Sequence, residues 1–258
     1  EALNPSITVP SGVLLQRNGN SGWNLRGNAA TAIVPRLGPA STTTTGGAIR
    51  IVDGVTFPLT VTGVQLALNE CGAAGGGTTY VPASANIQVS TVGIKIPNRV
   101  NLVGMGSRAD SAWTFVCTST CNIAAVIENA RVDGTQQHAG IMNISIAGNN
   151  SGGATDSFGI RLRSIFVGSF IRDVIVTNMK SPAGAGIMLD DPGAHGFGPI
   201  RLDNVTVSNT FGDGIRVGAL TNNIVGQPWM TAINIERWGT GKAAIRFLGG
   251  CTPSASFG

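Results

Sequence analysis

Aromatic residues make up only 5% of this 258-residue chain, with a single Tyr80, and charged residues only 12%. Ordinary globular domains carry about a quarter charged residues, so a charged helical protein is not expected. No run of 18 apolar residues occurs, and nothing is long enough to cross a membrane as a helix. There are two histidines and four cysteines, Cys71, Cys117, Cys121 and Cys251, and none stands at a metal-ligand spacing. Neither zinc nor any other cofactor is expected. The 17 basic residues exceed the 13 acidic ones, but no segment concentrates the charge, so no nucleic-acid partner is expected either.

Glycine, by contrast, is abundant, with 37 copies, as a chain of many tight turns requires, and three of them open copies of a repeat. The unit is Gly or Ala, Ile, any residue, then an aliphatic residue or Phe. It occurs as Gly159-Ile160-Arg161-Leu162, Gly186-Ile187-Met188-Leu189, Gly214-Ile215-Arg216-Val217 and Ala244-Ile245-Arg246-Phe247. A second series is interleaved: Asn143-Ile144-Ser145-Ile146, Asp173-Val174-Ile175-Val176, Asn204-Val205-Thr206-Val207 and Ala232-Ile233-Asn234-Ile235. A recurrence of roughly thirty residues means stacked supersecondary units. Apolar residues two apart, punctuated by Gly or Asn, make the unit one of strands.

Short strands with no helix between them predict an all-β solenoid, a single-stranded parallel β-helix in which each coil lies on the one before. Ile160, Ile187, Ile215 and Ile245 then form one inward column, with Leu162, Leu189, Val217 and Phe247 in another. Arg161, Met188, Arg216 and Arg246 point outward. Each coil satisfies its backbone against its neighbours, and only the two ends stay open. Asn143, Asn149 and Asn204 each begin an Asn-x-Ser/Thr sequence, but asparagine at a coil corner is explained by turn chemistry.

Ahead of the repeats, Ile7-Thr8-Val9-Pro10-Ser11-Gly12-Val13-Leu14-Leu15 echoes Ile94-Lys95-Ile96-Pro97-Asn98-Arg99-Val100-Asn101-Leu102, and a Trp follows each, Trp23 and Trp113. The first copy reads as a coil-like segment apart from the main stack. Its residues Ile7, Val9, Val13 and Leu15, with Phe247 at the opposite end, are candidate assembly contacts. Residues 62–71 form the one helix candidate, with Val64, Leu68 and Cys71 at helical spacing, Thr62 as N-cap and Gly72 as stop. Cys117 and Cys121 flank Thr118 to Thr120 and read either as free core thiols or as a bridged pair.

The short helix, the run Gly75-Gly76-Gly77-Thr78-Thr79-Tyr80-Val81-Pro82 and the coil Ile94 to Gly106 together resemble the N-terminal entry of the pectate-lyase-like β-helix superfamily. That superfamily holds polysaccharide lyases and hydrolases as well as phage tailspikes. The resemblance covers roughly residues 60 to 250. It implies a right-handed helix whose first coil is capped by the short α-helix. It also implies activity on polysaccharides, by paired carboxylates or by carboxylate-held Ca²⁺ with an Arg or Lys base. The cluster Asp190-Asp191-Pro192-Gly193-Ala194-His195-Gly196 is similar to the Asp-Asp and His-Gly pairs of the superfamily's polygalacturonase-like hydrolases. By that likeness Asp190 and Asp191 are candidate acid and base, His195 a candidate relay, and Arg161, Arg216 and Arg246 a basic stripe for anionic sugar. The chain departs from the pattern because both pairs sit in one loop and the family's Asn-Thr-Asp and Arg-Ile-Lys motifs are absent. Hydrolysis needs two carboxyl groups facing each other across one bond.

The expected organisation is an N-terminal extension over residues 1–59, the β-helix over 60–250 and a tail over 251–258. Two functions fit. One is an extracellular structural or adhesive β-helix facing carbohydrate, stacking with copies of itself head-to-tail into a fibre. The other is a polysaccharide lyase, glycoside hydrolase or tailspike depolymerase. A start at Glu1 fits a processed N-terminus, and the location expected is extracellular or cell-surface, with a virion tail as the alternative.

Overall fold

The computed structural model describes residues 47–105, 113–118, 121–130, 138–148, 157–165, 168–190, 199–218 and 228–248, and two strands nearer the N-terminus. The chain divides into two units, residues 1–41 and 42–258. In the first, β1 (Val13–Arg17) pairs antiparallel with β2 (Trp23–Gly27), Val13 opposite Gly27. A five-residue connection admits this pairing, whereas a parallel one needs a long crossover. Val13 and Leu15 therefore lie in one arm of a hairpin, while Ile7 and Val9 fall outside the described residues.

The second unit is a right-handed parallel β-solenoid of about five turns. It opens with β3 (Ala48–Ile51), ahead of the expected start at residue 60, and α1 (Val61–Ala73) follows. Three successive coils each contribute three strands. They are β4 (Gly77–Pro82), β5 (Ile87–Val89) and β6 (Ile94–Ile96), then β7 (Val100–Met105), β8 (Phe115–Cys117) and β9 (Ala125–Asn129), then β10 (Ala139–Met142), β11 (Ser145–Ala147) and β12 (Phe158–Arg163). In the later coils the first two strands fuse into one long one: β13 (Phe170–Thr177) precedes β14 (Ala185–Asp190), β15 (Ile200–Ser208) precedes β16 (Asp213–Val217), and β17 (Pro228–Glu236) precedes β18 (Ile245–Phe247). Three parallel faces result, the third running β6-β9-β12-β14-β16-β18.

The fused strands bend at one residue. Asn143, Asp173, Asn204 and Ala232, the first residues of the second repeat series, all have left-handed backbones with φ between 50° and 54°. Short amide and carboxylate side chains tolerate that conformation by bonding nearby groups. Asn204 Nδ2 donates to Asp173 Oδ1 at 2.7 Å, and Asn143 Nδ2 donates to the Gly104 carbonyl at 2.9 Å. The glycines of the first series have a different cause. A Cβ at Gly159, Gly186 or Gly214 would fall on Val176, Val207 or Ile235, the branched residues of the neighbouring face.

The inward columns stand as expected. Ile94, Ile127, Ile160, Ile187, Ile215 and Ile245 are successive register partners, and the first five are fully buried. Met188 is outward, yet it is buried in a second cluster with Ala125, Phe158 and Ala185. Asp213 opens β16 and is fully buried. Asp203 lies within β15, since the bend comes one residue later at Asn204.

Helix α1 closes the N-terminal end. Val64, Ala67, Leu68 and Cys71 join the same apolar core as Ile94 and Ile96. Its N-cap is Thr60, whose Oγ1 accepts from the Gly63 N–H at 3.1 Å, so Thr62 sits inside the first turn instead. Gln65 covers the free edge of β6: its Nε2 donates to the Lys95 carbonyl and its Oε1 accepts the Lys95 N–H, both at 2.8 Å.

Candidate functional site

Two surfaces of the solenoid gather polar side chains. The first is the outer face of the third sheet, where register places Arg161, Met188, Arg216 and Arg246 in one column. All three guanidinium groups are engaged. Arg161 donates from Nε and Nη2 to Asp190 Oδ2 at 2.9 and 2.6 Å. Arg216 Nε donates to Asp213 Oδ2 at 2.9 Å, and its Nη1 and Nη2 reach the Ala183 and Gly184 carbonyls. Arg246 Nε donates to both Asp213 oxygens, at 3.0 and 2.9 Å, while Oδ1 also accepts the Ala243 N–H at 2.9 Å. Two residues further along β12, Arg163 Nη2 donates to Glu128 Oε2 at 2.9 Å; Glu128 is the register partner of Arg161 on β9, and Lys95 Nζ lies 3.7 Å from its Oε1.

This is a charge ladder that locks coil to coil. Burial pushes the Asp213 carboxyl up, but the Ala243 N–H and the Arg216 and Arg246 guanidinium groups outweigh it and hold the carboxyl below its ordinary value. Asp213 is therefore ionised and unsuited to donate a proton. Asp190 does not face it across a bond-sized gap. The register partner of Asp213 is Ala185, five residues before Asp190. That offset is roughly 16 Å along the strand, against the about 5 to 9.5 Å that glycoside hydrolysis requires. Asp191 and His195 lie outside the described residues. An anionic sugar at the arginine column would have to displace a buried carboxylate that already neutralises it.

The second surface is a groove of about 550 Å³ on the corner that follows β13, β15 and β17. Each coil leaves its long strand through a left-handed residue, Asn178, Asn209 or Arg237, with φ of 57°, 52° and 55°. Stacking continues through the turn: the Asn178 N–H donates to the Ser208 carbonyl at 3.1 Å, the Asn209 N–H to Glu236 at 2.9 Å and the Phe211 N–H to Met179 at 2.8 Å. With the backbone so fixed, the side chains that follow each corner project into the groove. Lys180, Phe211, Trp238 and Thr240 line it together with the corner residues, and no carboxyl group is among its lining residues.

Phe211 is 55% exposed and Trp238 44%, so neither is core packing. Trp229, on β17 of the last coil, is also exposed and lies 5.1 Å beneath the Arg201 guanidinium. Two exposed rings beside two cations and two side-chain amides make a surface for a flat, partly apolar, negatively charged and hydroxyl-rich ligand. In the sequence, Trp229 and Trp238 stand out as flanking the Ile233-Asn234-Ile235 strand, where they read as sugar platforms or as cover for the last coils. The signal for the rest was the third echo of the repeat, Thr177-Asn178, Ser208-Asn209 and Glu236-Arg237, which marks a second column of corners.

No family model, no curated protein and no solved structure matches this chain. Among the described residues, no group of three His, Cys, Asp or Glu side chains is placed to hold a metal ion, and no helix is long and apolar enough to cross a membrane.

Proposed function

We propose that this chain is an extracellular, carbohydrate-facing β-helix that binds an acidic polysaccharide in the corner groove without cleaving it. The observation that carries the reading is the pairing of exposed Trp238 and Phe211 with Lys180 and Arg237 in a groove whose lining has no carboxyl group. The aromatic rings supply platforms for the C–H faces of pyranose rings, and the cations neutralise a uronate or sulfate. Hydrolysis has neither acid nor base there. The likeness to pectate-lyase-like β-helices belongs to the same proposal, as a likeness of scaffold whose site has been rebuilt.

Self-assembly is the second element of the proposal. Head-to-tail growth by direct stacking of coils is disfavoured on the third face, because α1 and Gln65 occupy the N-terminal edge of β6. Addition of the segment around residues 7–15 to a neighbouring copy is the route left, and removing residues 1–16 abolishes any filament if that route operates.

The test is calorimetric titration with oligogalacturonate and with a neutral oligosaccharide of equal length, followed by product analysis. Expected are binding of the acidic ligand that weakens with salt, little binding of the neutral one, and neither new reducing ends nor unsaturated products. Trp238→Ala weakens binding by about tenfold, the equivalent of roughly 1.4 kcal/mol. Unsaturated or hydrolysed products lost in Asp190→Asn would replace this reading with the catalytic one.

A further inference from the structure

We propose that Cys117 and Cys121 are joined by a disulfide bond in the mature protein, closing a five-residue loop on the second face of the solenoid. The geometry stands apart from the groove and does not depend on it. Cys117 ends β8 opposite Val89, and the next N–H, that of Thr118, donates to the Val89 carbonyl at 2.9 Å. The chain then turns back on itself, since the Cys121 N–H donates to the Thr118 carbonyl at 3.0 Å and the Asn122 N–H to Ser90 at 2.9 Å. Both ends of the loop are thus held on the same neighbouring coil. Each cysteine is buried, and both are thiols in the structure, with the sulfurs 2.6 Å apart against a covalent length of about 2.05 Å. Cys71 is elsewhere, beneath α1, where its Sγ lies 3.5 Å from the Ala48 carbonyl and from Thr79 Oγ1.

The pair is also chemically asymmetric. Its S–H contact and burial push the Cys117 thiol up, while the same contact pulls Cys121 down despite its burial. That asymmetry belongs to the closed coil; before closure either thiolate can attack first, and both orders give the same products, as when Cys121 leads. With glutathione disulfide as oxidant, the Cys121 thiolate attacks one of its sulfurs and releases one glutathione. The Cys117 thiolate then attacks Cys121 Sγ and releases the second. Two protein thiols are oxidised and one small disulfide is reduced to two thiols. Burial of both sulfurs requires this exchange to happen before the coil closes, and it shields the bond afterwards. Such a bond belongs to an oxidising compartment.

The experiment folds the full chain in a buffer of reduced and oxidised glutathione, denatures it without reductant, alkylates it and digests it with trypsin. Residues 109–131 form one tryptic peptide that carries Cys117, Cys121 and no other cysteine. The expected peptide is two hydrogens lighter than its sequence and takes up two alkyl groups only after reduction. Two alkyl groups without reduction, or a crosslink from either residue to Cys71 or Cys251, would overturn the proposal. As a second readout, reductant lowers the melting temperature of the wild type by roughly 4 °C. It leaves the Cys117→Ser, Cys121→Ser double variant unchanged. A reductant effect of equal size in both proteins would also overturn it.

Discussion

The first and last rungs of the solenoid carry the same inward column yet are finished differently. Ile94 at one end and Ile245 at the other occupy equivalent positions on the third face. Ile94 is fully buried beneath α1, whereas Ile245 is 37% exposed and Phe247 beside it 41%. Helix α1 finishes its rung with apolar side chains and with one amide that occupies both backbone groups of Lys95. The last rung is held from behind, by its ladder to β16 and by buried Asp213, which takes the Ala243 N–H and the Arg246 Nε. Position in a repeat therefore determines which way a side chain points, and the layer beyond determines what it contributes.

Substitutions at the two ends test that contrast. The largest effect is expected at Asp213, because Asp213→Ala leaves two partly buried guanidinium groups without their carboxylate and costs about 3 to 5 kcal/mol in urea unfolding. Acid gives the same group a signature. The folded value of Asp213 is lowered, so its contribution is complete above the ordinary carboxylate pKa and is lost as pH falls through the folded value. An Asp213→Asn variant accordingly loses less stability on acidification than the wild type does. Next comes the isoleucine pair: Ile94→Ala costs about 2 to 5 kcal/mol, and Ile245→Ala about 1 kcal/mol or less. Equal costs would mean that the last rung is covered. Gln65→Ala is expected to cost about 1 kcal/mol, since Lys95 regains water only in part. Trp238→Ala, exposed at its corner, changes stability by less than about 0.5 kcal/mol while weakening glycan binding.

The sequence made the solenoid legible because its side chains obey a translational rule. Once Ile160, Ile187, Ile215 and Ile245 are read as one column, strand register, inward faces and the glycine position follow. The left-handed bends were legible as asparagines, though Ala232 and Arg237 hold the same backbone without the residue that announces it. The site was less legible, for an identifiable reason. The arginines were placed in the right column, but the acids that neutralise them come from other positions: Asp190 from the end of β14, and Asp213 from three residues before Arg216. Periodicity predicts neighbours along a column and is silent about diagonal ones. Helix α1 was found from its apolar spacing, yet its cap lies two residues earlier than read, because Thr60 rather than Thr62 is the extended residue whose hydroxyl meets a first-turn N–H.

The location of glycan binding tests the account most directly, and hydrogen exchange of the full chain with and without oligogalacturonate reads it residue by residue. Added ligand is expected to slow exchange of amides within residues 178–182, 209–212 and 237–240, the corner that carries Lys180, Phe211 and Trp238. Protection on β12, β14 and β16 beside Arg161 and Arg216, with none at the corner, would contradict it.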